Sequence, residues 1–243
     1  MNKLLLTGLL ALIWLKCFST CIVIYIAKNG HIYVAADSRR TFVFNDNSND
    51  VKFESVCKIH NVGARYFAIA GIDDSSLLET ATRALQQNPN IDTAIKSFGT
   101  MMVTHYNALM ADTKRYYPDK FKHFLKAGLA DISFFGFFSG FPNIINVEFF
   151  CELDKNGKVV SKYRLHKVNN ITIIGISQDI TNSRPEELPS RETMEQNPEL
   201  FVESLVKIEA KMQPFAVSEP IDILELKPNG PIWIRKNENA ALY

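Results

Sequence analysis

The chain has 243 residues, with 27 Lys and Arg against 26 Asp and Glu, and 47% of its residues are hydrophobic. A net charge of +1, with no concentrated basic stripe, argues against a nucleic-acid surface; the run Lys120, Lys122, Lys126 reads as one solvated helix face. The charged fraction of 22% is that of a globular protein with a real core.

The first stretch reads as an export signal. Met1-Asn2-Lys3 is a short positive start, and Leu4 to Leu15 is an apolar run shorter than the roughly 20 residues a membrane-spanning helix needs. Small residues at Cys17 and Ser19 fit a cleavage site that releases Thr20; a cut one residue later releases Cys21. A signal peptide over 1–19 leaves a mature chain of about 224 residues, the size of one large domain over 20–243. The expected protein is exported, secreted or periplasmic, and meets a membrane only through its leader. Losing Lys3 and Lys16 turns the net charge to −1. Cys17 leaves with the leader, so Cys21, Cys57 and Cys151 remain, an odd set with at least one free thiol, Cys21 being the obvious one.

Cys21 to Ala27 is a buried strand rich in β-branched residues. Lys28-Asn29-Gly30 is a hairpin turn, His31 to Ala36 the return strand, and Thr41 to Phe44 a short third strand. Asn45 to Asp50 is a polar loop. Val56 to Val62 and Tyr66 to Ala70 read as a strand pair turning at Gly63-Ala64-Arg65. The period then becomes helical. Ser75 and Ser76 can cap a helix carrying Leu77, Leu78, Ala81 and Leu85, and Asp92 starts a longer one to about Arg115, extended by Pro118 to Leu125. Ile132 to Phe138, Asn143 to Leu153, Val159 to Leu165 and Ile171 to Ile176 are strands. Gln178 to Ser190 reads as a loop. Arg191 to Met212 is a helix interrupted at Pro198. Ile221 to Leu226 and Ile232 to Arg235 are terminal strands around Pro228-Asn229-Gly230. Strands and helices in segregated blocks indicate α+β, with antiparallel sheets covered by helices. The five His, including His31, His60 and His105, show no metal-ligand spacing, and no cofactor is expected.

The order of elements resembles the proteasome β-type subunit family of the N-terminal nucleophile (Ntn) hydrolase superfamily. The local likeness lies in Asn29-Gly30-His31 leading to Val34-Ala35-Ala36-Asp37-Ser38-Arg39, in Lys58-Ile59, in Ala70-Gly71 before a helix, and in the turn Asp154-Lys155-Asn156-Gly157. It implies a four-layer αββα sandwich of two antiparallel sheets covered by helices, and a threonine- or cysteine-type protease or amidase. It further implies a peptide or amide substrate, and it allows a homo-oligomer. By the same resemblance Asp37 is the carboxylate, Lys58 the cation and Gly71 the oxyanion donor.

The chemistry asks for these residue types under any name. A terminal Thr hydroxyl or Cys thiol attacks an amide carbonyl, and the free α-amine, with a pKa near 8, is a suitable base. A Lys ammonium stabilises the developing anion, a carboxylate orients that Lys, and a backbone N–H supports the oxyanion. Two nucleophiles stay open. In the family the Asp follows the nucleophile by 16 positions, the spacing from Cys21 to Asp37, whereas the cleavage pattern favours Thr20. Two further readings stay open as well. One is an inactive scaffold or assembly subunit, since the family's Gly-Ser-Gly is matched by Gly175-Ile176-Ser177, and Pro214 to Glu219 offers Ser218 without the family's Asp. The other is a Cys-type acylase acting on small amides.

Overall fold

The computed structural model describes residues 20–43, 51–72, 74–214 and 216–237. The expected signal peptide and the polar loop Asn45 to Asp50 lie outside the described residues.

The chain opens with the hairpin of β1 (Cys21–Ile26) and β2 (Ile32–Asp37). Gly30 turns it with a φ of +78°, a region open to glycine without steric cost. The Asn29 side chain accepts the His31 amide at 2.9 Å, an Asx-type turn. β3 (Arg39–Val43) and β4 (Val51–Ser55) form a separate two-stranded ribbon. β5 (Ile59–Val62) and β6 (Arg65–Gly71) form the next hairpin, followed by α1 (Asp74–Gln87), α2 (Ile91–Tyr116) and α3 (Pro118–Ala127). β7 (Ala130–Phe138), β8 (Phe141–Leu153), β9 (Val159–Val168) and β10 (Ile171–Gly175) come next, then α4 (Gln178–Asn182), α5 (Arg191–Gln196) and α6 (Pro198–Met212). β11 (Ile221–Lys227) and β12 (Gly230–Arg235) close the described chain.

The strands make two five-stranded antiparallel sheets, ordered β10-β1-β2-β11-β12 and β5-β6-β7-β8-β9. Alternation along β1 explains how they stack. Ile22 and Ile24 face the second sheet and pack with Ala68, Phe135 and Ile144. Cys21, Val23 and Tyr25 face the other way, against Val202, Leu205 and Val206 of α6. On the far side of the second sheet, Phe67, Phe134 and Phe149 pack against Phe98, Met102 and Tyr106 of α2. Three apolar layers therefore separate helices, sheet, sheet and helices, an α+β architecture compatible with a sandwich. No helix among the described residues is long and apolar enough to cross a membrane.

Sequence expectations change at two places. Val51–Ser55 is a strand that the polar surroundings hid, and Val56-Cys57-Lys58 lies outside regular strand, with the Val56 amide bonded to the Ser38 carbonyl at 2.8 Å. The segment Gln178 to Ser190 contains α4 and a 3-10 turn at Pro185–Glu187. Tertiary contact holds α4: Ile180 is buried against α6, and its amide donates to Glu209 at 2.9 Å. The helix expected over Arg191 to Met212 is interrupted where expected: α5 ends before Asn197, and Pro198 takes the first position of α6 and cannot continue α5.

Candidate functional site

The β1–β2 register pairs Ile22 with Ala36 and Ile26 with Ile32 without a bulge, which brings Cys21 opposite Asp37. The contact is through backbone: the Cys21 amide donates to Asp37 Oδ1 at 2.8 Å. The Arg39 amide donates to Asp37 Oδ2 at 3.2 Å. Asp37 is fully buried at the end of β2. Lys58 Nζ completes its environment, at 3.0 and 3.1 Å from the two carboxylate oxygens. Burial pushes the Asp37 carboxyl above its usual range, while Lys58 and the two amides pull it back.

The same Lys58 Nζ donates to Thr20 Oγ1 at 2.7 Å. Thr20, Lys58 and Asp37 thus form one buried chain of hydrogen bonds, from a hydroxyl through an ammonium to a carboxylate. Lys58 reaches it from the segment between β4 and β5, with its side chain 5% exposed. Thr20 lies on the face of β1 that looks toward the second sheet, as alternation from Ile22 requires.

Cys21 is turned to the opposite face. It is 0% exposed and sits in the apolar layer with Val23 and Val217. Burial first, then the Asp37 and Glu209 carboxylates, push its thiol well above the ordinary cysteine range. A thiol held protonated is a poor nucleophile. Cys57 and Cys151 are also free and buried.

The Thr20 carbonyl is held as firmly as its hydroxyl. It accepts the Ile176 amide at 2.7 Å. Gly175 lies directly beneath it, at a φ of +84°; a Cβ there would fall 2.1 Å from the Thr20 carbonyl oxygen and 3.1 Å from Ala70 Cβ. Gly71 follows Ala70 at the end of β6, where a Cβ would meet Ala130 Cβ at 2.4 Å. The structure therefore brings Thr20, Asp37 and Lys58 into direct contact, puts Gly71 at the adjoining sheet end, and separates the Cys21 side chain from them.

A cavity of about 410 Å³ opens beside Lys58. Val56, Ile69 and Leu78 supply apolar walls near the lysine. Ser75, Thr82 and Gln86 continue it along one face of α1, a run of roughly 16 Å at 1.5 Å per residue. His60 also lines it and is uncharged at neutral pH, because burial drives its pKa down to about 4. Glu79 and Arg83 at the rim form an ion pair with each other.

The sequence reading singled out Ala-Gly and Lys-Ile pairs but missed the groove, because its lining residues look like ordinary solvated positions of α1. The spacing of one helix face is the only signal that joins Ser75, Thr82 and Gln86. No model of a known protein family matches the chain, and no curated protein matches it.

Proposed function

We propose that the protein is an N-terminal nucleophile hydrolase that cleaves peptide or amide bonds, with Thr20 as the nucleophile after removal of the leader. The observation that carries this reading is the single lysine bonded at once to Thr20 Oγ1 and to Asp37. A threonine hydroxyl needs such help, because its unassisted pKa lies far above neutrality. In the free mature chain the Thr20 α-amine takes the hydroxyl proton as Oγ1 attacks the carbonyl carbon. Lys58 stabilises the forming alkoxide, and Asp37 fixes Lys58. The Gly71 amide supports the oxyanion in the role the family resemblance implies. Collapse of the tetrahedral intermediate returns the proton to the leaving amine and leaves an ester on Thr20, which water then hydrolyses. The cavity beside Lys58 offers room for the side chain that carries the attacked carbonyl, and its walls favour an uncharged one.

The likeness to proteasome β-type subunits and the two packed antiparallel sheets support the same class. The Cys-type acylase is disfavoured by the apolar burial of the Cys21 thiol. A non-catalytic assembly subunit draws support from one observation: Ile176 packs its side chain into the apolar layer beside α6, so that position gives the Thr20 amine no hydroxyl partner.

Mature protein beginning at Thr20, treated with a peptide electrophile, tests the proposal. Peptide mapping is expected to show the adduct on Thr20, lost in Thr20→Ala and kept in Cys21→Ser. An adduct on Cys21, or none in the wild type, contradicts it.

A further inference from the structure

Lys58 reaches its two partners on a flexible side chain, from a segment that lies outside regular strand. The groups that fix the backbone of that segment come from β2, from β11 and from the residues after β12. Asp222 of β11 stands opposite Ala36 in the β11–β2 register and is 0% exposed. Ile221 and Ile223 pack toward α6, so alternation turns Asp222 toward the second sheet, the side on which Thr20 and Lys58 meet. Its carboxylate holds two pieces of chain. Oδ1 accepts the amide of Asn237, two residues beyond β12, at 2.6 Å, and Oδ2 accepts the Ser38 hydroxyl at 3.3 Å. Each piece then grips the run that leads to Lys58. The Asn237 side-chain amide donates to the Ser55 hydroxyl, and the Ser38 carbonyl accepts the Val56 amide at 2.8 Å. Ser38 is fixed in turn by its own amide, which donates to the Pro220 carbonyl at 3.1 Å. Ser55 and Val56 precede Lys58 closely, within about 10 Å of extended chain.

We propose that Asn237, seated on Asp222, is a positioning residue for Lys58: it straps Ser55 and the backbone that follows to the first sheet, so that the ammonium stays between Thr20 and Asp37. This rests on the reading of Thr20 as nucleophile. The amide-to-carboxylate bond that seats Asn237 is charge-assisted and short, which makes it a firm anchor. A lysine on a loosened segment keeps its charge but loses its fixed place against the Thr20 hydroxyl. Misplacement by about 1 Å can cost on the order of 100-fold in rate. Neither Ser55 nor Asn237 lines the cavity beside Lys58, so the strap bears on rate rather than on substrate binding.

The test compares mature wild type with Asn237→Ala, Ser55→Ala, the double variant and Ser55→Thr. Steady-state kinetics on a peptide amide should show each alanine variant losing about tenfold in kcat with little change in KM. The double variant should lose no more than the larger single loss, because both changes remove the same bond. Ser55→Thr, which keeps the hydroxyl, should retain most of the wild-type rate. Hydrogen exchange at the Val56 amide should become faster in both alanine variants, and not at amides of β8. Unchanged exchange at Val56, or single losses that simply multiply in the double variant, overturns the strap. A fall in stability with kcat unchanged overturns it as well. A wild type that cleaves nothing while Val56 exchange still depends on Asn237 contradicts the nucleophile reading alone, and leaves the strap as a structural link.

Discussion

One backbone step, from Thr20 to Cys21, separates two environments. The hydroxyl meets a lysine already fixed by a buried carboxylate; the thiol meets aliphatic side chains. Family spacing pointed to Cys21 because it assumed that nucleophile and carboxylate share a face. Asp37 instead works from the end of its strand, through backbone amides and Lys58, so face alternation does not govern its reach. Gly175→Ala tests how closely the Thr20 carbonyl is held. Its Cβ would overlap the carbonyl oxygen at 2.1 Å in a left-handed conformation; strain of this kind costs on the order of 1–3 kcal/mol. The expected outcome is a small loss in urea stability and a much larger loss of activity. Two titrating groups make the stability itself pH-dependent, in opposite senses. Asp131, raised from 3.8 to about 6, binds its proton more tightly when folded, so it lowers stability as pH rises from about 4 to 6. His60, lowered from 6.5 to about 4, stays neutral when folded, so it lowers stability as pH falls through the same interval. Each amounts to about 3 kcal/mol at full effect. Urea unfolding between pH 4 and 7 should show Asp131→Asn gaining on wild type toward pH 7, and His60→Gln gaining toward pH 4.

At the scale of elements, the opening hairpin was legible because an Asn-Gly turn joins two runs of β-branched and apolar residues. The long helix was legible too: Ala94, Ile95, Phe98, Met102 and Tyr106 are buried on one face, and Asn90 caps its start. The third strand was expected over Thr41 to Phe44, but its partner β4 and the helix α4 were not, because β4 lacks clear alternation and α4 is held by Glu209 and α6 rather than by propensity. Lys58 was named from sequence, but its position on a connection between strands follows only from the register of β5 with β6. The face of α1 that lines the cavity gives a direct test. Thr82→Trp places a large ring midway along the groove, away from Thr20, Lys58 and Asp37. It should weaken kcat/KM for peptides with a bulky side chain at the attacked carbonyl by about tenfold or more, and leave an alanine substrate nearly unaffected. Equal loss on both substrates contradicts the assignment of the groove to that side chain.

Across the whole molecule, two antiparallel sheets hold the site at one end of their shared interior. The α+β class was legible because strands and helices come in blocks, each with its own period. The pairing between sheets was not, since the residues that meet across it, such as Ile22 and Ile24 against Ala68, Phe135 and Ile144, lie far apart in sequence. The molecule also spends stability on its site: Asp37 and Lys58 are both buried, and removing Lys58 would strand a carboxylate at a cost of about 3–5 kcal/mol. Substitution at Thr20 is the cleaner probe, because Lys58 keeps Asp37 as its partner. The most direct measurement is therefore the site of covalent capture in mature protein whose first residue is Thr20. The account predicts an electrophile adduct on Thr20 that survives Cys21→Ser and disappears in Thr20→Ala. Capture at Cys21, or none in a folded wild type, would contradict it.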